Sequence, residues 1–442
     1  MINKTSAQFQ LGFSNQLEDI LDSKHPLVRL SKAIDWCVFE NEFAKYYSLK
    51  MGKPAKPIRL MVSLLILKQI RNLSDESIVE HWAENLYYQY FSGLLHFSNT
   101  KPCVPTELVE FRKRIGSQGV ELIFKESIKV NGKDSEDENL SADTTVQEKN
   151  ITFPTDDKLY KKVINECRAI AEKEGIVLRQ TYKRTVKDLS RIQRFKKTKN
   201  GAIKARKASK KIKTIAGVLV RELYRKLPAE RLSHHVAKLT IYEKVLSQKR
   251  GDSNKIYSIH EPEVKCYTKG KDHKKYEFGS KVSILVTQST GVIVGALNFN
   301  STQHDSKTIQ ASIDQYEKLT GFQAKNTYVD RGYRGVSKVN QTNILVPKPD
   351  KNISIEKRKG HSRRAAIEPV IGHLKSNYRM GRNYLKGVVG DQINVLMAAA
   401  AMNFKRVINL WLTEAIYRWK LILILIQNVY QNLIAQKLKT TF

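Results

Sequence analysis

The chain has 442 residues, 41% of them hydrophobic and 9% aromatic, which is enough for two or three folded domains and excludes a disordered tail. Its formal net charge of +34 predicts attraction to a polyanion, with nucleic acid as the first partner and an anionic membrane surface as the alternative. The four cysteines are scattered without a CxxC pair, which argues against a zinc site and a disulfide framework.

Two features argue against export and membrane insertion. The first residues, Met1–Ser6, lack the apolar core of a signal peptide. The strongest apolar run, Leu421–Ile426, has six residues, far below the ~20 needed to cross a bilayer. We therefore expect a soluble, cytoplasmic protein with no membrane partner.

Residues 1–100 are predicted to be helical. An apolar stretch, Ile58–Ile70, precedes a polar break in which Ser74 can cap a second helix that runs through Trp82 to Phe91. Two helices joined by a short turn are typical of a helix-turn-helix reader of DNA, and more often of ordinary helix packing. Both interpretations stay open.

An aspartate lies in the first predicted strand. Leu140–Val146 contains three consecutive β-branched residues and should be extended. Asp143 is in its middle, although aspartate is depleted in strands and a buried carboxylate needs a cation or several hydrogen-bond donors. Asp143 is therefore either a cation ligand or a residue of an exposed strand.

The segment from Asp157 to about Ser247 has the hydrophobic periodicity of helices. Its middle, 183–213, contains 14 Lys or Arg residues and a single acid, Asp188. This charge density predicts contact with nucleic-acid phosphates, with a solvated basic face as the alternative. The phosphate-binding candidates in this segment are Arg191, Arg194, Lys196 and Lys197.

Farther along, the hydrophobic period returns to two. Glu277–Val286 and Val292–Phe299 are predicted to form a β-hairpin around a Ser-Thr-Gly turn. A helix follows, and Asp305 or Ser306 is expected to cap it. The alternative is that Asp305 approaches an active site together with His304. The order of these elements indicates a mixed α/β fold.

Asp330 ends a further predicted strand, Asn326–Val329, and is followed directly by Arg331 and Gly332. β-Branched and aromatic residues favour the strand, and the glycine favours a tight turn after it. A carboxylate at a strand end beside a cation is suited to hold a metal ion against a phosphate. The alternative is an aspartate that only caps the turn.

Three charged residues lie within a short segment near the end of this region. If the segment is helical, Arg364, Glu368 and Lys375 lie on one face beside an apolar stripe. Pro369 disfavours helix at the residue before it, so the helix is either kinked there or begins close to Glu368. The three residues are either part of a site or a set of surface salt bridges.

Asp143, Asp330 and Glu368, in this order, resemble the DDE triad of bacterial insertion-sequence transposases, whose catalytic core is ribonuclease-H-like. The similarity is closest to the insertion-sequence-five group and spans roughly residues 20–410. The resembling segments are Ala142–Ile151, Tyr276–Lys281, Val329–Gly335 and Ile367–Lys375.

A second signature of this family, Tyr-x2-Arg-x3-Glu-x6-Lys, is matched at Arg364, Glu368 and Lys375. The tyrosine position holds His361, which departs from the pattern. The resemblance implies that Arg364 and Lys375 hold DNA phosphates, as a guanidinium fork and a point charge. Weaker candidates for the same contact are Arg331 and Lys281.

The resemblance implies an α/β fold: a ribonuclease-H-like mixed β-sheet core with a helical N-terminal domain and a helical insertion. It also implies two Mg²⁺ ions, which Mn²⁺ can replace, held by Asp143 on the central strand, Asp330 at the adjacent strand end and Glu368 on a helix. The expected domains are an N-terminal DNA-binding and assembly domain (1–139), the core (140–154 with 251–410), a basic insertion (155–250) and a tail (411–442). The tail is either a dimerisation helix or a poorly ordered extension.

The function implied by the resemblance is that of a DNA transposase. It would bind the terminal inverted repeats of its own insertion sequence, cut the element ends and join the freed 3′-hydroxyls to target DNA, as a homodimer or higher homo-oligomer on DNA in the bacterial nucleoid. One alternative is a catalytically silent, transposase-derived DNA-binding regulator. Others are a structural nucleoid or RNA-binding protein, and a nuclease that cuts without joining. The presence of all three carboxylates argues against the first two.

Overall fold

The computed structural model describes residues 16–48, 54–249, 251–271, 274–347 and 354–439, and only the backbone at 269–271, 274 and 415–439. These residues form a mixed α/β fold, as predicted. One seven-stranded sheet has helices before it in the chain, on its faces and inserted between two of its strands.

From residue 16 onward the N-terminal region is helical, as predicted, whereas residues 1–15 lie outside the described part. Its helices are α1 (Leu17–Ile20), α2 (Pro26–Ala33), α3 (Trp36–Ala44), α4 (Ile58–Ile70), α5 (Asp75–Glu84), α6 (Leu86–Phe91) and α7 (Pro105–Lys129). Ser74 caps α5 as predicted, because its Oγ accepts a hydrogen bond from the Ser77 amide at 3.1 Å. The second predicted helix is divided, since the Asn85 side chain caps α6 separately.

Helices α4 and α5 fit the packing interpretation better than a DNA reader. Helix α4 is apolar on all sides and buried along almost its whole length, so it forms the centre of this region. The exposed face of α5 carries Glu76, Glu80 and Glu84. A row of carboxylates repels DNA phosphates.

The sheet is antiparallel on one side of its first strand and parallel on the other. Its strands are β1 (Asn139–Glu148), β2 (Lys265–Lys271), β3 (Lys274–Thr287), β4 (Ile293–Phe299), β5 (Asn326–Tyr328), β6 (Lys338–Val339) and β7 (Thr342–Leu345). Strand β1 pairs antiparallel with β3 and parallel with β5. Beyond them, β2 and β4 share the far edge of β3, while β7 and then β6 continue from β5. The predicted hairpin is β3–β4, and β1 lies at the centre of the sheet.

Between β1 and β2 the chain is helical and has a hydrophobic core of its own. These helices are α8 (Asp156–Lys173), α9 (Lys183–Arg194), α10 (Lys199–Lys226) and α11 (Ala229–Ser247). Val163, Leu219 and Tyr242 are fully or almost fully buried in this core, which is separate from the cores of the sheet. The basic segment can therefore expose its cations on a self-supporting helical unit.

Helices cover both faces of the sheet. On one face helix α12 (Ile309–Thr320) packs on β3 and β4, and its Ile313 and Tyr316 share one core with Leu140 and Ala142 of β1. The remaining helices are α13 (Ile355–Arg364), α14 (Ile367–Asn377) and α15 (Gly387–Lys439). On the other face α15 shares one continuous core with β3, β4 and the N-terminal helices. The N-terminal region is thus joined to the sheet by apolar packing.

Helix α15 is continuous through residue 410, so no change of secondary structure marks the expected start of the tail. Its segment Gly387–Glu414 is long and apolar enough to cross a membrane by length and composition. However, 61% of its most apolar window is buried inside the protein, as expected for the core helix of a globular fold.

Candidate active site

The register of β1 and β5 brings Asp143 and Asp330 side by side. Ser141 is paired with Tyr328 in these parallel strands, and each aspartate follows two residues later. Since Leu140 and Ala142 face α12, alternation along the strand places Asp143 on the opposite side, toward α13 and α14. The resemblance implied this arrangement, with Asp143 on the central strand and Asp330 at the end of the adjacent strand, and the structure places the two residues in these positions.

Asp330 also caps a turn, which was the alternative to its interpretation as a metal ligand. Its Oδ1 accepts a hydrogen bond from the Gly332 amide at 2.8 Å, at the start of a short 3-10 helix, Arg331–Tyr333. The other carboxylate oxygen has no part in this bond. Capping fixes the orientation of Asp330 and does not exclude a second ligand.

The Asp143 carboxylate is in an environment that disfavours its charge. Burial raises its pKa, and the Thr144 amide lowers it through a 2.7 Å hydrogen bond. The negative charge of Asp330 raises the pKa again, the Arg364 charge lowers it, and the Asp305 charge raises it. The net result is a pKa of about 6, against an ordinary value of 3.8. Two adjacent carboxylates with too little positive charge around them are suited to bind a cation.

Asp305 was expected mainly as a helix cap, and this expectation is wrong. Thr308 precedes α12 and no side chain caps that helix, while Asp305 lies in a separate 3-10 helix, Asp305–Lys307. Asp305 Oδ1 instead accepts hydrogen bonds from Thr144 Oγ1 at 2.8 Å and from Lys281 Nζ at 2.7 Å. Asp305 thus reaches β1 from the α12 side, directly behind the carboxylate pair.

Glu368 is connected to this pair through Arg364. The Arg364 guanidinium lies 3.7 Å from Asp143 Oδ2 through Nη1 and 3.9 Å from Glu368 Oε1 through Nη2. Arg364 is 19% exposed, whereas the Glu368 side chain is 68% exposed. Arg364 Nη1 is buried and makes no hydrogen bond, so a donor faces the carboxylates without an acceptor at bonding distance. The structure places Glu368 at the solvent side of the site.

The helix that carries Glu368 begins close to that residue, which confirms one of the two predicted alternatives. Helix α13 ends at Arg364 and α14 begins at Ile367, so Pro369 lies in the first turn, where a missing N–H costs nothing. Lys375 is half-buried, seven residues and about 10 Å farther along the helix axis than Glu368.

His361, which replaces the tyrosine of the signature, packs against β5. Its ring meets the Tyr328 ring edge-on, with centroids 5.2 Å apart. The close approach of α13 requires Gly360, since a Cβ there would lie 2.1 Å from Tyr328 Cζ. Burial lowers the pKa of His361 and the Arg364 charge lowers it further, so the imidazole is neutral near pH 7.

The remaining predicted phosphate contacts fall into two groups. Lys281 is bound within the protein, since its Nζ also donates to the Gln303 carbonyl at 2.6 Å and its side chain is 14% exposed. The exposed cations are Arg331, Arg191, Arg194, Lys196 and Lys197. The last four lie at the end of α9 and in the turn to α10, on the inserted helical unit and not beside the carboxylates.

The carboxylate pair fits a divalent metal ion in its chemistry. Asp143 and Asp330 offer the hard oxygen ligands that Mg²⁺ and Mn²⁺ prefer. Burial and the neighbouring carboxylates raise the pKa of Asp143, and a bound cation would favour its charged form. Within the described residues no three His, Cys, Asp or Glu side chains are grouped closely enough to hold one ion. A third protein ligand therefore requires a movement, and Glu368 is the exposed carboxylate within reach of Arg364.

Two family models match the chain. A transposase domain (DUF772) matches residues 15–114, and a transposase DDE domain matches residues 251–404. The second match includes Asp330 and Glu368, whereas Asp143 lies between the two matched ranges.

A relative matches part of the chain and has no assigned activity. An uncharacterized protein from Rhizobium meliloti, ORF8 in the nfe locus, is 39% identical over 180 residues, which cover 40% of this chain and 86% of that protein. No solved structure matches the chain.

Proposed function

The chain belongs to the DDE transposases of insertion sequences, enzymes that catalyse DNA cleavage and strand transfer with divalent metal ions, and we propose that it binds the ends of its own element, cuts there and joins the freed 3′-ends to target DNA. The observation that carries the proposal is that the parallel register of β1 and β5 brings Asp143 next to Asp330. Membership of the insertion-sequence-five group stays a prediction.

We propose Asp143, Asp330 and Glu368 as the metal-holding carboxylates, with Mg²⁺ as the ion and Mn²⁺ as its replacement. When bound, such an ion makes an attacking hydroxyl more nucleophilic and stabilises the charge on the leaving 3′-oxygen. Asp330 is held for this role by the Gly332 amide, and Asp143 by the Thr144 amide. Both side chains are thus oriented before a ligand arrives.

Arg364 is suited to hold the phosphate that is cut. Its Nη1 lacks a hydrogen-bond acceptor, and a guanidinium binds phosphate oxygens strongly. Once Arg364 turns to a phosphate, Glu368 is free to approach the pair. The ion pair with Glu368 contributes only about 0–1 kcal/mol, because its atoms are 3.9 Å apart and Glu368 is largely exposed. Arg364 also gives up its 3.7 Å contact with Asp143, whose charge a bound metal ion would then balance.

The inserted helices are suited to hold DNA away from the cut. Their exposed cations lie on a unit with its own core, so they can follow a DNA backbone without disturbing the sheet. The domain division 1–139, 140–154 with 251–410, 155–250 and 411–442 remains part of the proposal, as does assembly of two or more copies on DNA.

The experiment that tests this function is cleavage of DNA carrying the element end, in Mg²⁺, by full-length wild type and Asp330→Ala. Removing a metal ligand removes several kcal/mol of transition-state stabilisation, so we expect cleavage to fall by about a thousandfold or more. Binding of the same DNA at low salt should persist. The matched control is Asp19→Ala, an exposed aspartate on α1.

If Asp330→Ala cleaves the DNA at the wild-type rate, the assignment of Asp330 as a metal ligand is wrong. Metal-independent DNA binding without cutting by the wild type instead supports the silent-regulator alternative.

A further inference from the structure

A groove lies beyond the carboxylate pair, at the carboxyl end of β1. It has a volume of about 760 Å³ and is walled by residues 148–153, by the start of β3 and by residues 381–382. None of the residues assigned above to the active site lines it. The groove is therefore a surface separate from the carboxylate pair, and Lys158 of the inserted helices also lines it.

Aromatic rings are exposed inside this groove. Phe153 is 59% exposed and Tyr276 is 39% exposed. Phe278 is half-buried beneath them, where it meets the Phe153 ring edge-on at 5.4 Å and the Tyr257 ring at 5.2 Å. Single exposed rings are common on protein surfaces, but neighbouring rings in one concavity indicate a binding surface.

Cations surround these rings. Lys158, Lys275 and Arg382 are all exposed in the groove. Lys275 Nζ lies 5.8 Å from the centroid of the Tyr276 ring, and Lys158 Nζ donates a 3.0 Å hydrogen bond to the Phe153 carbonyl. Two of the positive charges thus lie next to the aromatic residues Phe153 and Tyr276.

We propose that this groove binds unpaired bases of single-stranded DNA beside the cleavage site, an inference that rests on the transposase function proposed above. Unpaired bases stack on aromatic side chains while their phosphates bind cations, and the groove offers both. A DNA duplex keeps its base faces covered, so it would make no use of Phe153 and Tyr276. An apolar peptide would make no use of the cations.

The distance from the carboxylates fits this role. The groove begins at Glu148, five residues beyond Asp143 on the same strand, which is about 17 Å at ~3.3 Å per residue. A DNA strand with ~3.4 Å between nucleotides covers that distance in about five nucleotides. Because Thr145, Val146 and Gln147 are buried, a strand that leaves the cut has to pass over the surface of the protein, and more than about five nucleotides must be unpaired before it reaches the rings.

The test is fluorescence anisotropy with the full-length protein and two probes, a short oligodeoxythymidine and a blunt duplex of the same length. The variant is Phe153→Leu, which keeps an apolar side chain and removes the flat ring. We expect its affinity for the single strand to fall by about fivefold to a hundredfold, and its affinity for the duplex to stay within twofold. Phe153→Trp should retain single-strand binding.

The matched control is Phe97→Leu, which alters an aromatic residue of similar exposure, 52%, in the N-terminal region. Unchanged single-strand binding by Phe153→Leu overturns the proposal, and so does an equal loss for both probes, because that loss would be electrostatic or structural. No cleavage is involved in this assay. A chain that fails to cut element ends speaks against the proposed function, whereas the anisotropy outcome decides only the role of the groove.

Discussion

Two half-buried aspartates in different regions of the molecule have opposite environments. Asp75 in the N-terminal helices and Asp143 in the sheet are 15% and 20% exposed. Asp75 accepts hydrogen bonds from both Arg112 terminal nitrogens and from Lys68 at 2.7 Å. Burial would raise its pKa, but these two cations lower it to about 2. The pKa of Asp143 is raised to about 6.

The difference separates a structural carboxylate from a functional one. The protein itself neutralises Asp75, so this aspartate holds α4, α5 and α7 together and has no capacity for a further ligand. Asp143 has Arg364 only at 3.7 Å and two further aspartates nearby, which leaves negative charge for an added cation. Incomplete neutralisation is therefore the property that marks the site.

The largest expected effect follows from removing the structural aspartate. Asp75→Ala leaves Arg112 and Lys68 buried without their counter-charge, so the free energy of unfolding of the N-terminal region should fall by about 3–5 kcal/mol. Urea unfolding followed by tryptophan fluorescence measures it, since Trp36 and Trp82 are buried in this region. If Asp75→Ala and the control Asp19→Ala unfold at the same urea concentration, the neutralised cluster is not structural.

For the functional aspartate, Asp143, we expect that the substitution raises the stability of the fold. In metal-free buffer at neutral pH, Asp143→Asn should stabilise the sheet locally by about 1–3 kcal/mol, because the variant removes a charge that burial disfavours. Native-state hydrogen exchange of the β1 amides measures this change. The same substitution should abolish cleavage.

The pH dependence of this stability difference follows from the direction in which the pKa of Asp143 is shifted. The folded pKa of Asp143 is raised to about 6, so its stabilising contribution is complete below about pH 4 and is lost as the pH rises through 6. The gap between wild type and Asp143→Asn should therefore open between pH 4 and 6. A gap that is constant over this range would show that Asp143 is not destabilised by its charge.

A smaller effect is expected behind the carboxylate pair. Asp305→Asn weakens the contacts to Thr144 and Lys281 without touching DNA, so cleavage should fall about tenfold while DNA affinity stays within twofold. Initial rates at saturating DNA measure it. Asp314→Asn, on the exposed side of α12, is the control. Equal cleavage rates for the two variants would show that Asp305 does not support the carboxylate pair.

Sequence patterns were sufficient to predict features that depend only on residues close together in the chain. β-Branched residues beside Asp143 and before Asp330 predicted both strands. Pro369 left two possibilities, a kinked helix or a helix that starts close to Glu368, and the structure shows the start. The adjacency of the two strands and the three proposed ligands came from the family resemblance, since the local patterns left the role of each carboxylate open.

Long-range contacts were not predictable in the same way. An aspartate before a helix is usually a cap, and only the folded chain shows that Asp305 meets Thr144, 161 residues away, and Lys281. The exposure of Glu368 depends on where the Arg364 side chain lies, which periodicity does not specify. The buried cluster at Asp75 was missed for the same reason, since Arg112 is 37 residues away.

The most direct test of the central claim is Mn²⁺ binding to the full-length protein, followed by electron paramagnetic resonance in the absence of DNA. The unneutralised pair of Asp143 and Asp330 predicts saturable Mn²⁺ binding by the wild type, weakened at least tenfold in Asp330→Asn and unchanged in Asp314→Asn. Identical Mn²⁺ binding by wild type and Asp330→Asn would contradict the account, since the metal would then be held elsewhere.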